Sequence, residues 1–77
     1  MNIYRISQSQ NADYDTFDSA IVAAESEDDA RLINPGCDWG TRFSAWCKAP
    51  SDVTVELIGE ALKGTPQGVL LASFNAG

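Results

Sequence analysis

Apolar and polar positions alternate from the start of the chain. Residues 2–9, NIYRISQS, set Ile3 on one face of an extended backbone and Tyr4 and Ile6 on the other, as a half-buried strand does. After the turn-forming QNAD, residues 16–24, TFDSAIVAA, alternate again, with Phe17, Ser19, Ile21 and Ala23 against Asp18, Ala20, Val22 and Ala24. They predict a long second strand whose end is deeply buried. Val53, Val55 and Leu57 alternate with Thr54 and Glu56 in a third strand reaching roughly Glu60. Residues 68–75, GVLLASFN, form a fourth, and its nearly unbroken apolar run suggests a central place in the sheet. The stretch 63–68, KGTPQG, is then the loop that joins strands three and four into a hairpin.

Between the two strand pairs the period changes. Glu25 and Ser26 stop the second strand, and Ser26 followed three residues later by Asp29 matches a helix capping box. Glu27, Asp28 and Asp29 occupy the first turn, where the helix dipole favours negative charge. A short helix is expected from about Glu27 to Ile33, with Ala30 and Ile33 toward the sheet and Asn34-Pro35-Gly36 ending it. Residues 37–48 read two ways. Trp39, Phe43, Trp46 and Cys47 fall on a helical stripe that Asp38 is placed to cap, while Phe43, Ala45 and Cys47 alternate like a strand. The helical reading is adopted. The expected fold is α+β, a single domain over residues 1–77. It has one four-stranded antiparallel sheet in the order β-β-α-(α)-β-β, with helix packed on one face. Val22, Val55, Leu57, Leu71 and Phe74 are expected to be largely buried.

Charge narrows the function. The 77 residues carry a formal net charge of −6, and all of it lies in residues 1–29, where Asp13, Asp15, Asp18, Glu25, Glu27, Asp28 and Asp29 face Arg5 alone. The remainder balances Asp38, Asp52, Glu56 and Glu60 against Arg31, Arg42, Lys48 and Lys63. Such a chain is unsuited to direct contact with nucleic acid or an anionic membrane, both of which require a basic face. The longest uncharged apolar run, Gly68 to Phe74, falls far short of the ~20 residues that span a bilayer, and MNIYRISQSQ lacks the basic and apolar regions of a secretory signal. A cytosolic protein with reduced thiols is expected, although a disulfide between Cys37 and Cys47 stays open.

Candidate chemistry is sparse. With no histidine in the chain, Cys37 and Cys47 have no base to raise their thiolate fraction and cannot by themselves close a zinc site. Asp13-Tyr14-Asp15 lacks the glycine and closing glutamate of a calcium loop, and Gly64 and Gly68 flank a proline turn with no phosphate-loop lysine. A chain this short hides only about 60–65% of its unfolded surface, which leaves little room for a water-excluding active site. No enzymatic activity, cofactor or metal is expected. Two features stand above this background. One is the acidic set Asp13, Asp15, Asp18, Glu25, Glu27, Asp28 and Asp29, with Tyr14 among them, which either presents a row of carboxylates to a basic groove or serves helix capping and solubility. The other is the aromatic set Trp39, Phe43 and Trp46, which serves either as interface anchors or as core filler.

The opening strand, YDTFDSAIVAAESEDDAR, and the closing VTVELIGEAL and GVLLASFNAG together resemble short acidic proteins encoded by bacteriophages and prophages, among them the anti-CRISPR and other anti-defence inhibitors. The resemblance implies a non-enzymatic inhibitor in the host-cell cytoplasm that binds a host defence protein, such as a CRISPR effector, at a basic surface. Such inhibitors share no common motif, so the candidate partner-binding residues are those of the acidic and aromatic sets, Asp13, Tyr14, Asp15, Asp18, Glu25, Glu27, Asp28, Asp29, Trp39 and Trp46. A structural module that self-associates, as a homodimer for instance, through a strand edge or the tryptophans is the alternative.

Overall fold

The structure is a computed structural model, and it describes residues 1–10, 16–36, 45–47 and 49–75. β1 (Asn2–Ser7) and β2 (Thr16–Ala24) form an antiparallel hairpin in which Arg5 faces Ile21 and Ile6 faces Ala20. The Gln8 side chain braces its open end by donating from Nε2 to the Phe17 carbonyl at 2.8 Å. β3 (Thr54–Glu60) joins the free side of β1 and β4 (Gly68–Asn75) the free side of β2, both antiparallel, so the sheet order is β3-β1-β2-β4. A single antiparallel sheet and a short helix on it were expected, and both are present.

The expected hairpin between the third and fourth strands is absent. β3 and β4 lie at opposite edges, and residues 61–67 carry the chain from one edge to the other past the N-terminus, where the Ala61 N–H donates to the Met1 carbonyl at 2.9 Å. Three strand spacings amount to about 14 Å, which seven linking residues cover easily. The central pair is the first hairpin, and β4 is an edge strand. An unbroken apolar run marks a strand with little polar surface, and that holds as well for an edge as for a centre. The centre falls to β1 and β2, and on β2 the small Ala20 and Ala24, at most 2% exposed, let covering elements approach closely.

One face of the sheet is covered. On it Tyr4, Ile6, Ala20, Val22 and Ala24 pack with Ala30, Trp46, Cys47 and Val53, and Trp46 is the largest fully buried side chain. The helix α1 (Glu27–Arg31) touches β1, β2 and β3 and ends two residues before the expected Ile33. Ser26 caps it as expected, with Oγ accepting from the Asp29 N–H at 3.2 Å. Arg31 then fastens α1 to the chain leading into β3 by donating to the Val53 carbonyl. A 3-10 turn, Pro50–Asp52, precedes that strand. Of the expected second helix, residues 37–44 and 48 lie outside the described residues, and residues 45–47 are not helical. The Phe17 N–H donates to the Ala45 carbonyl at 2.8 Å, which holds this stretch against β2 and seats the indole.

The opposite face carries Arg5, Ser7, Ser19, Ile21, Leu71, Ser73 and Glu56, half-buried or exposed. Of the five residues expected in the core, Val22 is fully buried and Val55 half-buried. Leu57, Leu71 and Phe74, all on the edge strands, are 61%, 69% and 48% exposed, and Leu71 lies across from Ile21 on the open face. Ile6→Ala should therefore cost about 2–5 kcal/mol, Ser26→Ala about 1 kcal/mol and Leu57→Ser less than about 0.5 kcal/mol. Denaturant midpoints read all three. A loss at Leu57 as large as at Ile6 would show that β3 is covered on both sides.

Candidate interaction surfaces

Carboxylates occupy the two ends of β2. At one end Asp18 is the extra residue of a bulge against β4, exposed, with its carboxylate accepting from Ser19 Oγ at 3.4 Å. The Ser73 hydroxyl is the main cause of an Asp18 carboxyl held below its ordinary pKa, with nearby backbone groups helping. At the other end Glu25, Glu27 and Asp28 are exposed and Asp29 is half-buried beneath the Ser26 cap. Glu27 Oε1 pairs with Arg31 Nη2 at 3.2 Å, a bond of i,i+4 type worth little on a wet surface.

Seven strand steps between Asp18 and Glu25 amount to about 23 Å. Asp18 and the carboxylates around α1 therefore form no single row of closely spaced charges. The compact acidic corner is the β2–α1 junction, where the turn is preorganised between Ala24 and Ala30, both fully buried. Asp13, Tyr14, Asp15 and Trp39 lie outside the described residues. Trp46 is 1% exposed and belongs to the core, so its expected role as a surface anchor is corrected: covering the alanine-rich centre of the sheet takes the whole indole.

The thiol of Cys47 is free and buried, and its Sγ–H donates to the Ala49 carbonyl at 3.4 Å. Burial pushes its pKa up, and the negative charge of Asp52 adds to the effect. That is the reverse of what activates a nucleophilic cysteine. Among the described residues no group of three or more His, Cys, Asp or Glu is placed to hold a metal ion, and no helix is long and apolar enough to cross a membrane.

The second surface is apolar, and the sequence reading assigned its residues to the interior. Along β4, Val69, Leu70, Leu71 and Phe74 are 42–69% exposed, and the Phe74 ring leans on Phe17 at a centroid distance of 4.8 Å. An open groove of about 300 Å³ runs along the β2–β4 seam, lined by Ser19, Ala20, Ile21, Leu71, Ala72 and Ser73. The signal available beforehand was the absence of any charged residue in 68–75, set against Glu56 and Glu60 in β3. Comparison with protein-family models, with curated proteins and with solved structures finds no match.

The Cys47 environment makes a direct prediction. In a Cys37→Ser background, alkylation of the native protein at neutral pH should be far slower than in guanidinium, because Cys47 is buried and protonated. With its folded pKa raised, stability should be complete below the unfolded thiol pKa and decline as pH rises above it. Equal labelling rates in the two states would place the thiol at the surface.

Proposed function

We propose that the chain is a non-enzymatic inhibitor that docks the acidic corner at the β2–α1 junction onto a basic, nucleic-acid-binding surface of a host defence protein. The single observation that carries the reading is the rigid presentation of Glu25, Glu27 and Asp28. Three exposed carboxylates stand on a capped turn whose flanking alanines are locked in the core, so little conformational entropy is lost when a partner binds. The cation on the helix, Arg31, donates to the Val53 carbonyl and pairs with Glu27, which offsets one of the three charges and leaves Glu25 and Asp28 to set the sign of the corner. The corner keeps its negative field, which attracts a basic surface and repels nucleic acid.

The resemblance to phage-encoded anti-defence proteins supports this reading and supplies the partner class, a CRISPR effector or a related complex in the host-cell cytoplasm. Blocking a nucleic-acid groove needs shape and charge and no catalytic group, which suits a surface made of carboxylates. Capping and solubility account for Asp29, whose backbone is spent on Ser26, but not for Glu25, which precedes the helix.

The test is capture from a bacterial host lysate with the wild type and, in parallel, with a Glu25→Lys, Glu27→Lys, Asp28→Lys variant whose fold is checked by circular dichroism. The wild type should retain a nucleic-acid-binding protein and displace its DNA or RNA in stoichiometric amounts. Its affinity should weaken as salt rises, since exposed charges act over a Debye length of ~8 Å at physiological ionic strength. The triple reversal should abolish capture, chiefly by slowing association. Equal capture by the folded variant, or a captured protein whose nucleic-acid binding is untouched, would contradict the proposal.

A further inference from the structure

We propose that β4 is the contact edge of a symmetric homodimer, in which two copies of the chain pair antiparallel along Gly68–Asn75 and join their sheets into one of eight strands.

The argument begins with the two edges of the sheet. Each edge strand carries one bulge, with Ile58 extra on β3 and Leu70 extra on β4, so the difference between them is charge: β3 carries Glu56 and Glu60, which keep an edge from pairing. β4 has no charge along its eight residues and presents four apolar side chains that are 42–69% exposed. β2 lies on one side of it and, among the described residues, no strand lies on the other. Eight residues give about 26 Å of outward-facing backbone donors and acceptors. A row of that length beside exposed leucines is a template for another strand.

Charge identifies the occupant. Two chains of net charge −6 repel, and they can meet closely only where neither carries a carboxylate. β1 carries Arg5, β2 carries Asp18 and β3 carries two glutamates, which leaves β4 as the uncharged strand among the described ones. A basic partner drawn in by the acidic corner would find no ion pair on this edge. An uncharged strand needs none, and the chain itself supplies one. Among the described strands, the charge on the neighbouring strand β2 is Asp18. In the proposed pair the two copies of Asp18 are three strand spacings apart, at least about 14 Å, beyond the ~8 Å Debye length at physiological salt.

Geometry permits it as well. An antiparallel pair of identical strands is related by a two-fold axis, so one edge serves as both donor and acceptor and the assembly closes at two copies. With the axis near the middle of β4, Leu71, 69% exposed in the single chain, comes beside its own counterpart and leaves water.

Sedimentation across a range of concentrations and salt tests the proposal without any host partner. The wild type should move from monomer to dimer as concentration rises. The dimer should strengthen with salt, because screening removes repulsion between like-charged chains, the opposite sign to docking on a basic surface. Leu71→Lys should weaken the dimer at least about tenfold, as a charge on the pairing edge does in natural sheets. Leu57→Lys, equally exposed but on β3, should leave it unchanged. Isotope-filtered NMR on mixed labelled and unlabelled wild type should show contacts between residues 68–75 of the two copies, a readout that needs no variant to fold. A monomer at every concentration, a dimer broken by Leu57→Lys and not by Leu71→Lys, or intermolecular contacts elsewhere would overturn the proposal.

Discussion

Among the described residues, the sheet of four strands is covered by a five-residue helix, one indole and the turn before β3, and the placement of the other described elements follows from how little that is. There is enough covering material for the middle of one face. The strands placed in the middle are the ones whose side chains need it, Ile6 on β1 and Val22 on β2, both fully buried. Alanines around them admit α1 and Trp46 at close range, so a small chain reaches interior packing density with few large residues. The tie from Arg31 to the Val53 carbonyl holds the cover down at its β3 side, and the bond from Phe17 to Ala45 holds it at the far end of β2.

What lies beyond the cover is exposed whatever its chemistry. Leu57 and Leu71 are as apolar as Ile6, yet their edge positions leave most of each side chain in water. The acidic residues follow the same logic from the other side: β2 runs through the core, so its charged flanks are pushed to its ends, with Asp18 at one and Glu25 at the other. The surface has two regions of opposite physical character. A carboxylate corner acts at long range and weakens with salt, and an uncharged apolar edge acts at contact and strengthens with it.

Local structure was legible in the sequence wherever a short-range rule decides it. The alternation in 16–24 and the apolar run of 68–75 set β2 and β4 to the residue, and the Ser26 and Asp29 pair set the helix start, because period, apolar runs and capping are properties of neighbours in the chain. Strand order was not legible. Pairing β3 with β4 through KGTPQG was the shortest connection, but connection length does not know which strands the helix will cover. Only the three-dimensional shortage of cover decides that β1 and β2 take the centre. The exposure of Leu71 and the burial of Trp46 are one fact seen from two sides, and neither follows from hydrophobicity along the chain. Of the acidic set, residue types and charge were readable, while the separation of Asp18 from Glu25 required knowing that β2 runs unbroken between them.

Amide hydrogen exchange, followed strand by strand at a dilution where the chain is monomeric, tests this account most directly. A covered centre with bare edges predicts that amides of β1 and β2, bonded on both sides and shielded on one face, exchange at rates set by global unfolding. Alternate amides of β3 and β4 that point outward should exchange far faster. Protection of every β4 amide to the level of β2, with fast exchange along β1, would contradict the account and place β4 at the centre of the sheet.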